Sequence, residues 1–168
     1  LALYTLIVNN LIALSGHVIP PDSEMPFIGW APIFDDSMII VSDVITAQDE
    51  SVTVTIETSQ LVEGWNITAY QFDLMYDESI ANYLGYNLAG TLSSDGIVSV
   101  NDDGNNISVS FMSMAALEGQ GALLEFEFGA VAPGVTPLHI ENFLYNATPL
   151  FNLYDGSIYV DAAPVAIA

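Results

Sequence analysis

The sequence predicts an all-β fold, a jelly-roll sandwich of about nine strands preceded by an extended N-terminal strand. Apolar and polar residues alternate with a period of two in several stretches, which is typical of strands that bury one side. Turn residues separate these stretches at short spacing, and there is almost no helical period. The clearest stretch, residues 69–77, places Tyr70, Phe72, Leu74 and Tyr76 on one side. It therefore predicts a central strand of the sandwich.

The composition sets physical limits on the molecule. Hydrophobic residues make up 52% of the 168 residues, enough for one well-buried domain with an appendage. There are 21 Asp and Glu residues and neither Lys nor Arg, which gives a formal net charge of −21. Side-chain ion pairs are therefore limited to His17 and His139. Stability must come from apolar burial and hydrogen bonds.

The same composition excludes several classes of function. A strongly negative surface repels nucleic acid and anionic lipid. Without Lys or Arg the chain has no phosphate-binding lysine, arginine clamp or Schiff base, and without Cys it has no thiol nucleophile or zinc–thiolate site. No motif around the serines or the two histidines predicts catalysis, so we expect no enzyme. The lack of trypsin cleavage sites suits an extracellular or cell-surface protein.

The first 21 residues carry no charged side chain. They lack the basic start of a signal peptide, and polar residues at 9–10 and 15–17 interrupt the apolar run that a membrane span needs. Residues 1–14 therefore predict an extended apolar strand, and residues 25–34 a Pro-containing connector anchored by Trp30. A chain that starts at Leu1 instead of Met indicates a mature form whose leader has been removed.

From residue 38 the pattern becomes regular and continues to residue 161. We therefore predict an N-terminal extension at residues 1–37, a sandwich at 38–161 and a tail at 162–168. Residues 80–88 are ambiguous between a strand and a short helical turn. The predicted strands of the sandwich are residues 38–46, 51–58, 69–77, 97–101, 106–112, 122–131, 137–140, 142–146 and 157–160.

The run NDDGNN at residues 101–106 lies between two of the predicted strands. It is typical of a hairpin turn in which Gly104 or Asn105 takes a positive φ. It also concentrates the oxygen ligands that Ca²⁺ prefers, although the spacing is not that of an EF-hand. Asp102, Asp103 and Asn105 are therefore candidate Ca²⁺ ligands, beside the interpretation of a simple turn.

Glu125 and Glu127 lie two residues apart on a predicted strand whose Leu124, Phe126 and Phe128 point inward. Glycosidases hold their two carboxylates on either side of a bond, usually from different elements. Because these two glutamates share one strand face, a solvated face is the better interpretation.

Three N-x-S/T sequons make Asn66, Asn106 and Asn146 candidate glycosylation sites. A sequon is usable only where it is exposed. Asn106 lies near the predicted hairpin tip and Asn146 shortly before Pro149, so we expect both to be exposed.

The order of the segments resembles that of cohesin domains. The resemblance runs through SVTVTIETS, AYQFDLMYDESI, GTLSSDGIVSVN, ISVSFMSMAALEGQGALLEFEFGAV, PLHIENFLYNATP and DGSIYVD, over roughly residues 38–161. It implies a nine-stranded jelly roll that binds proteins on bacterial or archaeal surfaces and has no catalytic activity. Dockerin-binding cohesins of this kind carry an Asn-x-Asp pair where this chain has Ala69 and Gln71. The apolar extension and the lack of basic residues also depart from the pattern.

The main functional hypothesis rests on the N-terminal strand, because a charge-free strand needs a partner in water. It either folds onto its own domain or inserts into the sandwich of the next subunit as a donated strand. Head-to-tail donation generates filaments. We predict a secreted pilus-like subunit that polymerises with itself, whose subunit contacts are Leu3, Tyr4, Leu6, Ile7, Val8, Leu11, Ile12, Leu14 and Trp30.

The alternative hypothesis is a cohesin-type module that captures a surface protein. Its docking sheet would carry residues 69–75 and 106–112. A glycan-binding adhesin is a third hypothesis, which rests on Tyr83, Tyr86 and Tyr154. None of the three uses nucleic acid or a membrane span.

Overall fold

The computed structural model describes residues 2–8, 23–29 and 37–162, and the chain divides into two units, Leu1–Phe34 and Asp35–Ala168. In the first unit, β1 (Ala2–Val8) pairs antiparallel with β2 (Ser23–Gly29). The prediction of a connector at residues 25–34 is therefore wrong over residues 25–29, which belong to β2. Both strands of a two-stranded sheet are edges, and an edge strand tolerates a proline such as Pro26 because its nitrogen can face away from the partner.

Of the predicted subunit contacts, five lie on β1, where the register places Leu3 opposite Ile28 and Leu6 opposite Met25. The other four lie outside the described residues: Leu11, Ile12, Leu14 and Trp30. The predicted tail lies outside them as well, except for its first residue. The predicted domain boundaries and the subunit contacts stay predictions.

The second unit is a sandwich of two sheets, so the predicted all-β fold is confirmed. A 3-10 turn at Glu63–Trp65 interrupts the series of strands. The strands in chain order are β3 (Ile39–Val41), β4 (Asp43–Ala47), β5 (Ser51–Leu61), β6 (Ala69–Met75), β7 (Ala81–Asn87), β8 (Ile97–Asp102), β9 (Asn106–Met112), β10 (Gly119–Ala130), β11 (Gly134–Tyr145), β12 (Thr148–Pro149), β13 (Leu153–Tyr154) and β14 (Gly156–Asp161).

One sheet has the order β13-β3-β5-β10-β7, and the other has the order β4-β14-β11-β6-β9-β8 with β12 beside the end of β11. The pairs β13–β3 and β14–β4 are parallel, and all other described pairs are antiparallel. No helix in the described part of the chain is long and apolar enough to cross a membrane.

The core lies between β6 of one sheet and β10 of the other. Tyr70 and Phe72 of β6 are each 2% exposed, and Phe126 and Phe128 of β10 are fully buried. The rings of Phe72 and Phe126 meet edge to face with centroids 6.3 Å apart, and those of Tyr76 and Phe128 are 5.2 Å apart. The predicted central strand is therefore confirmed, and so are the inward positions predicted on β10.

The predicted strand at residues 38–46 is wrong as a single element, because it breaks at Ser42 into β3 and β4, which lie in different sheets. The Ser42 N–H donates to the Thr55 carbonyl at 3.0 Å, and the Thr55 N–H donates to Ser42 Oγ at 2.9 Å. The serine side chain thus takes the place of a strand carbonyl. The chain can then leave β5 and pair with β14.

Two further elements differ from their predictions. The ambiguous residues 80–88 contain the edge strand β7, which turns Tyr83 toward Phe126 and Phe128. The two strands predicted at residues 137–146 are one strand, β11, because an irregularity between Glu141 and Leu144, with Asn142 at a φ of 54°, bends the strand without ending it. The described sandwich has twelve strands in place of about nine.

Candidate functional site: the outer face of the larger sheet

The candidate site is the solvent side of four neighbouring strands, β11, β6, β9 and β8, which we call the outer face. Along β6 the residues at 70, 72 and 74 enter the core, so those at 69, 71, 73 and 75 point to the outer face. The registers of β9 and β8 with β6 arrange these side chains in rows across the sheet. Three rows differ in chemistry.

The first row is apolar. Ala69 lies opposite Met112, and Met112 lies opposite Ile97 on the edge strand β8. Met112 is 62% exposed and Ile97 is 72% exposed. Met114, just beyond the end of β9, is also fully exposed. Large apolar side chains grouped in this way favour contact with another molecule.

The second row is polar and has free hydrogen-bonding capacity. Gln71 lies opposite Ser110, which lies opposite Ser99. Gln71, Ser99 and Ser110 are exposed, and their side chains make no hydrogen bond to any described residue. A shallow depression of about 110 Å³ beside Gln71 and Ser110 is also lined by Leu144 and Ala147. This row can accept and donate hydrogen bonds to a partner.

The third row is acidic and fixed in place. Asp73 Oδ1 accepts a hydrogen bond from Ser108 Oγ at 2.7 Å, and its Oδ2 accepts one from Asn142 Nδ2 at 2.9 Å. The same Asn142 nitrogen lies 3.4 Å from Glu141 Oε1. The hydrogen bond from Ser108, aided by that from Asn142, lowers the pKa of Asp73. The carboxylate therefore stays ionised, and the stability it contributes at neutral pH is lost as pH falls through that lowered pKa.

Beside the acidic row, His139 on β11 is the only basic side chain in the described part of the chain. Its Nδ1 lies 2.8 Å from Asp155 Oδ2, and its Nε2 lies 3.8 Å from Glu141 Oε2. The hydrogen bond with Asp155 raises the pKa of His139. The resulting stabilisation is complete below the ordinary histidine pKa and is lost as pH rises through the raised value. Asp155 also accepts the Ile140 N–H at 3.0 Å.

A groove of about 470 Å³ opens next to His139, where β11 has lost its pairing with β14 and has not yet reached β12. Apolar side chains and the carboxylates of Glu141 and Asp155 line it together. Among the lining residues, Phe151 is 87% exposed. The groove therefore borders the acidic end of the outer face.

The predicted hairpin at residues 101–106 is confirmed, and Gly104 supplies the positive φ, at 95°. Asp102 Oδ1 accepts the Tyr76 hydroxyl at 2.8 Å and the Gly104 N–H at 3.1 Å. Asp103 Oδ1 accepts the Asn106 N–H at 3.0 Å. Both carboxylates thus stabilise the turn itself.

The described residues include no group of three or more His, Cys, Asp or Glu side chains that could hold a metal ion. The Ca²⁺ ligands proposed from the sequence include only two carboxylates, and both already accept hydrogen bonds within the turn. A Ca²⁺ role for Asp102, Asp103 and Asn105 stays a prediction.

The three sequons differ in their surroundings. Asn66 is exposed. The sequence predicts that Asn106 is exposed, but it is half-buried, because it lies on β9 and donates from Nδ2 to Ser108 Oγ at 3.2 Å. Asn146 is exposed, but its Oδ1 accepts the N–H groups of Thr68 and Ala69 at 3.0 and 3.1 Å, and its Nδ2 donates to the Asn66 carbonyl at 2.8 Å. Asn146 therefore holds the start of β6. Glycosylation at the three sites stays a prediction.

The remaining sequence-based candidates lie on the smaller sheet. Glu125 accepts a hydrogen bond from Asn87 at 3.0 Å on the solvent side of β10, where Glu127 is exposed as well. Tyr86 on β7 and Tyr154 on β13 lie at opposite edges of this sheet, so the tyrosines of the glycan hypothesis do not form one surface.

The fixed position of Asp73 could not be found from the sequence. Its donors Ser108 and Asn142 are 35 and 69 residues away in the chain, and no local pattern links either of them to Asp73. The pair of His139 and Asp155 is separated by 16 residues. The placement of β11, β6 and β9 side by side brings Asp73 to its donors, and the pairing of β11 with β14 brings Asp155 to His139.

The sequence matches no protein-family model and no curated protein. Solved structures do match. A non-cellulosomal cohesin from the hyperthermophilic archaeon Archaeoglobus fulgidus has a TM-score of 0.65 and 14% identity over 74% of this chain and 91% of that one. A cohesin in the Coh-OlpA-Doc918 complex from Clostridium thermocellum has a TM-score of 0.62 and 16% identity over 74% and 99%.

The seventh ScaB type I cohesin from Pseudobacteroides cellulosolvens has a TM-score of 0.59 and 19% identity over 79% of this chain and 97% of that one. The chain therefore has a cohesin-like fold, as the order of its segments predicts. At these identities the likeness establishes the fold and nothing further.

Proposed function

We propose that this domain is a protein-binding module without catalytic activity, which captures a partner protein on the outer face. The observation that carries the proposal is the three rows: exposed Ile97 and Met112, exposed Gln71 and Ser110 whose side chains make no hydrogen bond to a described residue, and the fixed carboxylate of Asp73. All lie on regularly paired strands. A site on paired strands is held more precisely than one on loops, which lowers the entropy lost on binding.

The cohesin-like fold supports this function. Among the solved structures with this fold is a type I cohesin–dockerin complex from Clostridium thermocellum. This chain has Ala69 and Gln71 where dockerin-binding cohesins carry an Asn-x-Asp pair, so its partner makes different contacts. We place the protein at the cell surface or outside the cell, because a chain without Lys or Arg resists trypsin-like proteases.

The test compares Ile97→Ser with Ile45→Ser. Ile45 is 73% exposed on β4, at the far edge of the same sheet. The probe is a display library of secreted-protein fragments from the source organism, captured on the immobilised full chain. Burying one Ile side chain contributes about 1.5–3 kcal/mol. Ile97→Ser should therefore lower the affinity for the captured clones by at least about tenfold. The affinity of Ile45→Ser should be close to that of the unmodified chain.

Equal affinities for all three proteins would contradict docking on the outer face. A loss of affinity confined to Ile45→Ser would show that the partner docks on the edge strand β4 instead. Because both substitutions lie at exposed positions, neither should affect folding, and circular dichroism of each variant checks this.

A second candidate function is the self-assembling filament, which the charge-free N-terminal segment favours. A two-stranded sheet such as β1–β2 is marginal in water on its own. In a filament, β1 would give up its pairing with β2 and pair with a strand of the neighbouring subunit. Light scattering and negative-stain imaging of the full chain and of a form starting at Ser37 test it. Filaments from the full chain alone support strand donation, and monomers from both contradict it.

A further inference from the structure

We propose that the partner presents an arginine or lysine side chain to Asp73, about 13 Å from the apolar surface that covers Met112 and Ile97. This inference rests on the proposed function, because it names the chemistry of a partner for the same outer face. It follows from three features of the acidic row: its position, its lack of an internal cation and its spacing from the apolar row.

Asp73 lies on an inner strand of the outer face, so a partner that covers the width of this face contacts it. It lies on β6, between β11 and β9, and it is half-buried. Ser108 of β9 and Asn142 of β11 hold its two oxygens from either side. A docked partner would remove the remaining water from this carboxylate. Desolvating an ionised carboxylate costs several kcal/mol unless a charged group pairs with it.

No basic group within the described residues offsets this charge. His139, the sole basic side chain there, is held between Asp155 and Glu141, and its ring nitrogens contact those carboxylates. Glu141 adds a second carboxylate, linked to Asp73 through the amide of Asn142. A neutral or acidic partner would leave the charge of Asp73 desolvated and unpaired. The compensating cation must therefore come from the partner.

The spacing follows from the sheet register. Asp73 lies opposite Ser108, and Met112 lies four residues further along β9. At about 3.3 Å per residue the acidic and apolar rows are about 13 Å apart. A partner helix would span this distance with about nine residues, at about 1.5 Å per residue.

The test compares Asp73→Asn with Asp43→Asn, which is a closely matched control. Asp43 is exposed on β4 and accepts a hydrogen bond from Ser157 Oγ at 2.7 Å, the distance at which Asp73 accepts one from Ser108. The probes are the fragment clones captured by the unmodified full chain. Their affinities are measured at about 50 mM and about 500 mM NaCl, because salt screens a partly exposed ion pair.

We expect Asp73→Asn to weaken binding at low salt by at least about tenfold and to reduce the salt dependence. Asp43→Asn should match the unmodified chain in both respects. In the captured fragments, replacing a basic residue that lies about 13 Å from their apolar contact should give the same loss. If Asp73→Asn is poorly folded, Asp73→Ser provides a second neutral variant.

Binding that depends on Ile97 but is unaffected at Asp73 would overturn the basic contact and leave the proposed function standing. Binding that depends on neither residue would contradict the proposed function itself. An equal loss of affinity in Asp73→Asn and Asp43→Asn would show that binding depends on overall charge and not on a contact at Asp73. That result too would overturn the inference.

Discussion

Replacing Phe126 with alanine is expected to lower the free energy of unfolding by about 3–5 kcal/mol. Phe126 is fully buried at the centre of β10, and its ring meets those of Phe72, Tyr83 and Phe128 at centroid distances of 6.3, 5.8 and 6.3 Å. Its removal leaves a cavity between two sheets whose backbones are fixed by pairing on both sides. The cavity therefore cannot collapse fully, and the lost contacts are not replaced.

Urea unfolding followed by tryptophan or tyrosine fluorescence measures this change. The control is Phe151→Ala, which removes the same side chain from a position that is 87% exposed. Its effect should stay within about 0.5 kcal/mol, as is usual for surface substitutions. A loss below about 1 kcal/mol for Phe126→Ala would mean that the sheets can close over the gap, contrary to the packing described.

The core could be predicted from the sequence because a strand that buries one side alternates apolar and polar residues with a period of two. The alternation at residues 69–77 and around Phe126 requires no knowledge of which strands are neighbours. The hairpin at residues 101–106 was predictable for a similar reason, since its turn residues are contiguous. These features are local, so one segment at a time is sufficient to find them.

The transfer of the chain from one sheet to the other at Ser42 was not predictable. The buried positions shift from Ile39 and Val41 on β3 to Thr46 on β4. The break depends on Thr55 of β5, whose carbonyl accepts the Ser42 N–H and whose N–H donates to Ser42 Oγ. For β11 the error was the opposite one, because the sequence predicts two strands where the structure has one. Asn142 disturbs the alternation, but pairing with β6 resumes at Leu144, so the strand does not end.

For the candidate site, the sequence identified the sheet and not the chemistry of its rows. Residues 69–75 and 106–112 do share the outer face, yet the partners of Asp73 come from two other strands, Ser108 from β9 and Asn142 from β11. Their meeting depends on register, and a shift of one residue would turn every side chain to the other face. Register depends on pairing across the whole sheet.

The absence of Lys and Arg explains how this surface is organised. Ordinary domains pair carboxylates with basic side chains, whereas here hydroxyl and amide groups perform that role. Such neutral donors fix the geometry of a carboxylate and leave its charge in place, so the surface keeps ionised groups ready for an external cation. Examples among the described residues are Asp73 with Ser108 and Asn142, Asp43 with Ser157, Asp77 with Ser79, Asp102 with Tyr76, and Glu125 with Asn87.

The point at which the chain crosses between the sheets should also be sensitive to a single methyl group. Gly156 begins β14, is buried and lies opposite Leu138. A β-carbon at this position would lie 2.7 Å from the Val41 carbonyl oxygen and closer still to that of Ser42. Both oxygens belong to backbone that is held by pairing with β5 and β14, so neither can move aside cheaply. Gly156→Ala should destabilise the sandwich by about 3 kcal/mol.

Gly85→Ala is the matched control, because Gly85 lies on the edge strand β7 and a β-carbon there would meet nothing within 4 Å. That variant should be neutral or more stable by up to about 1 kcal/mol, since alanine reduces the freedom of the unfolded chain. Urea unfolding of both variants provides the comparison. Equal stability of the two would show that β14 does not pack closely on the crossing at Ser42. A large loss of stability in Gly156→Ala alone would support the conclusion that, among the described glycines, Gly156 makes the closest contact with backbone, at the crossing.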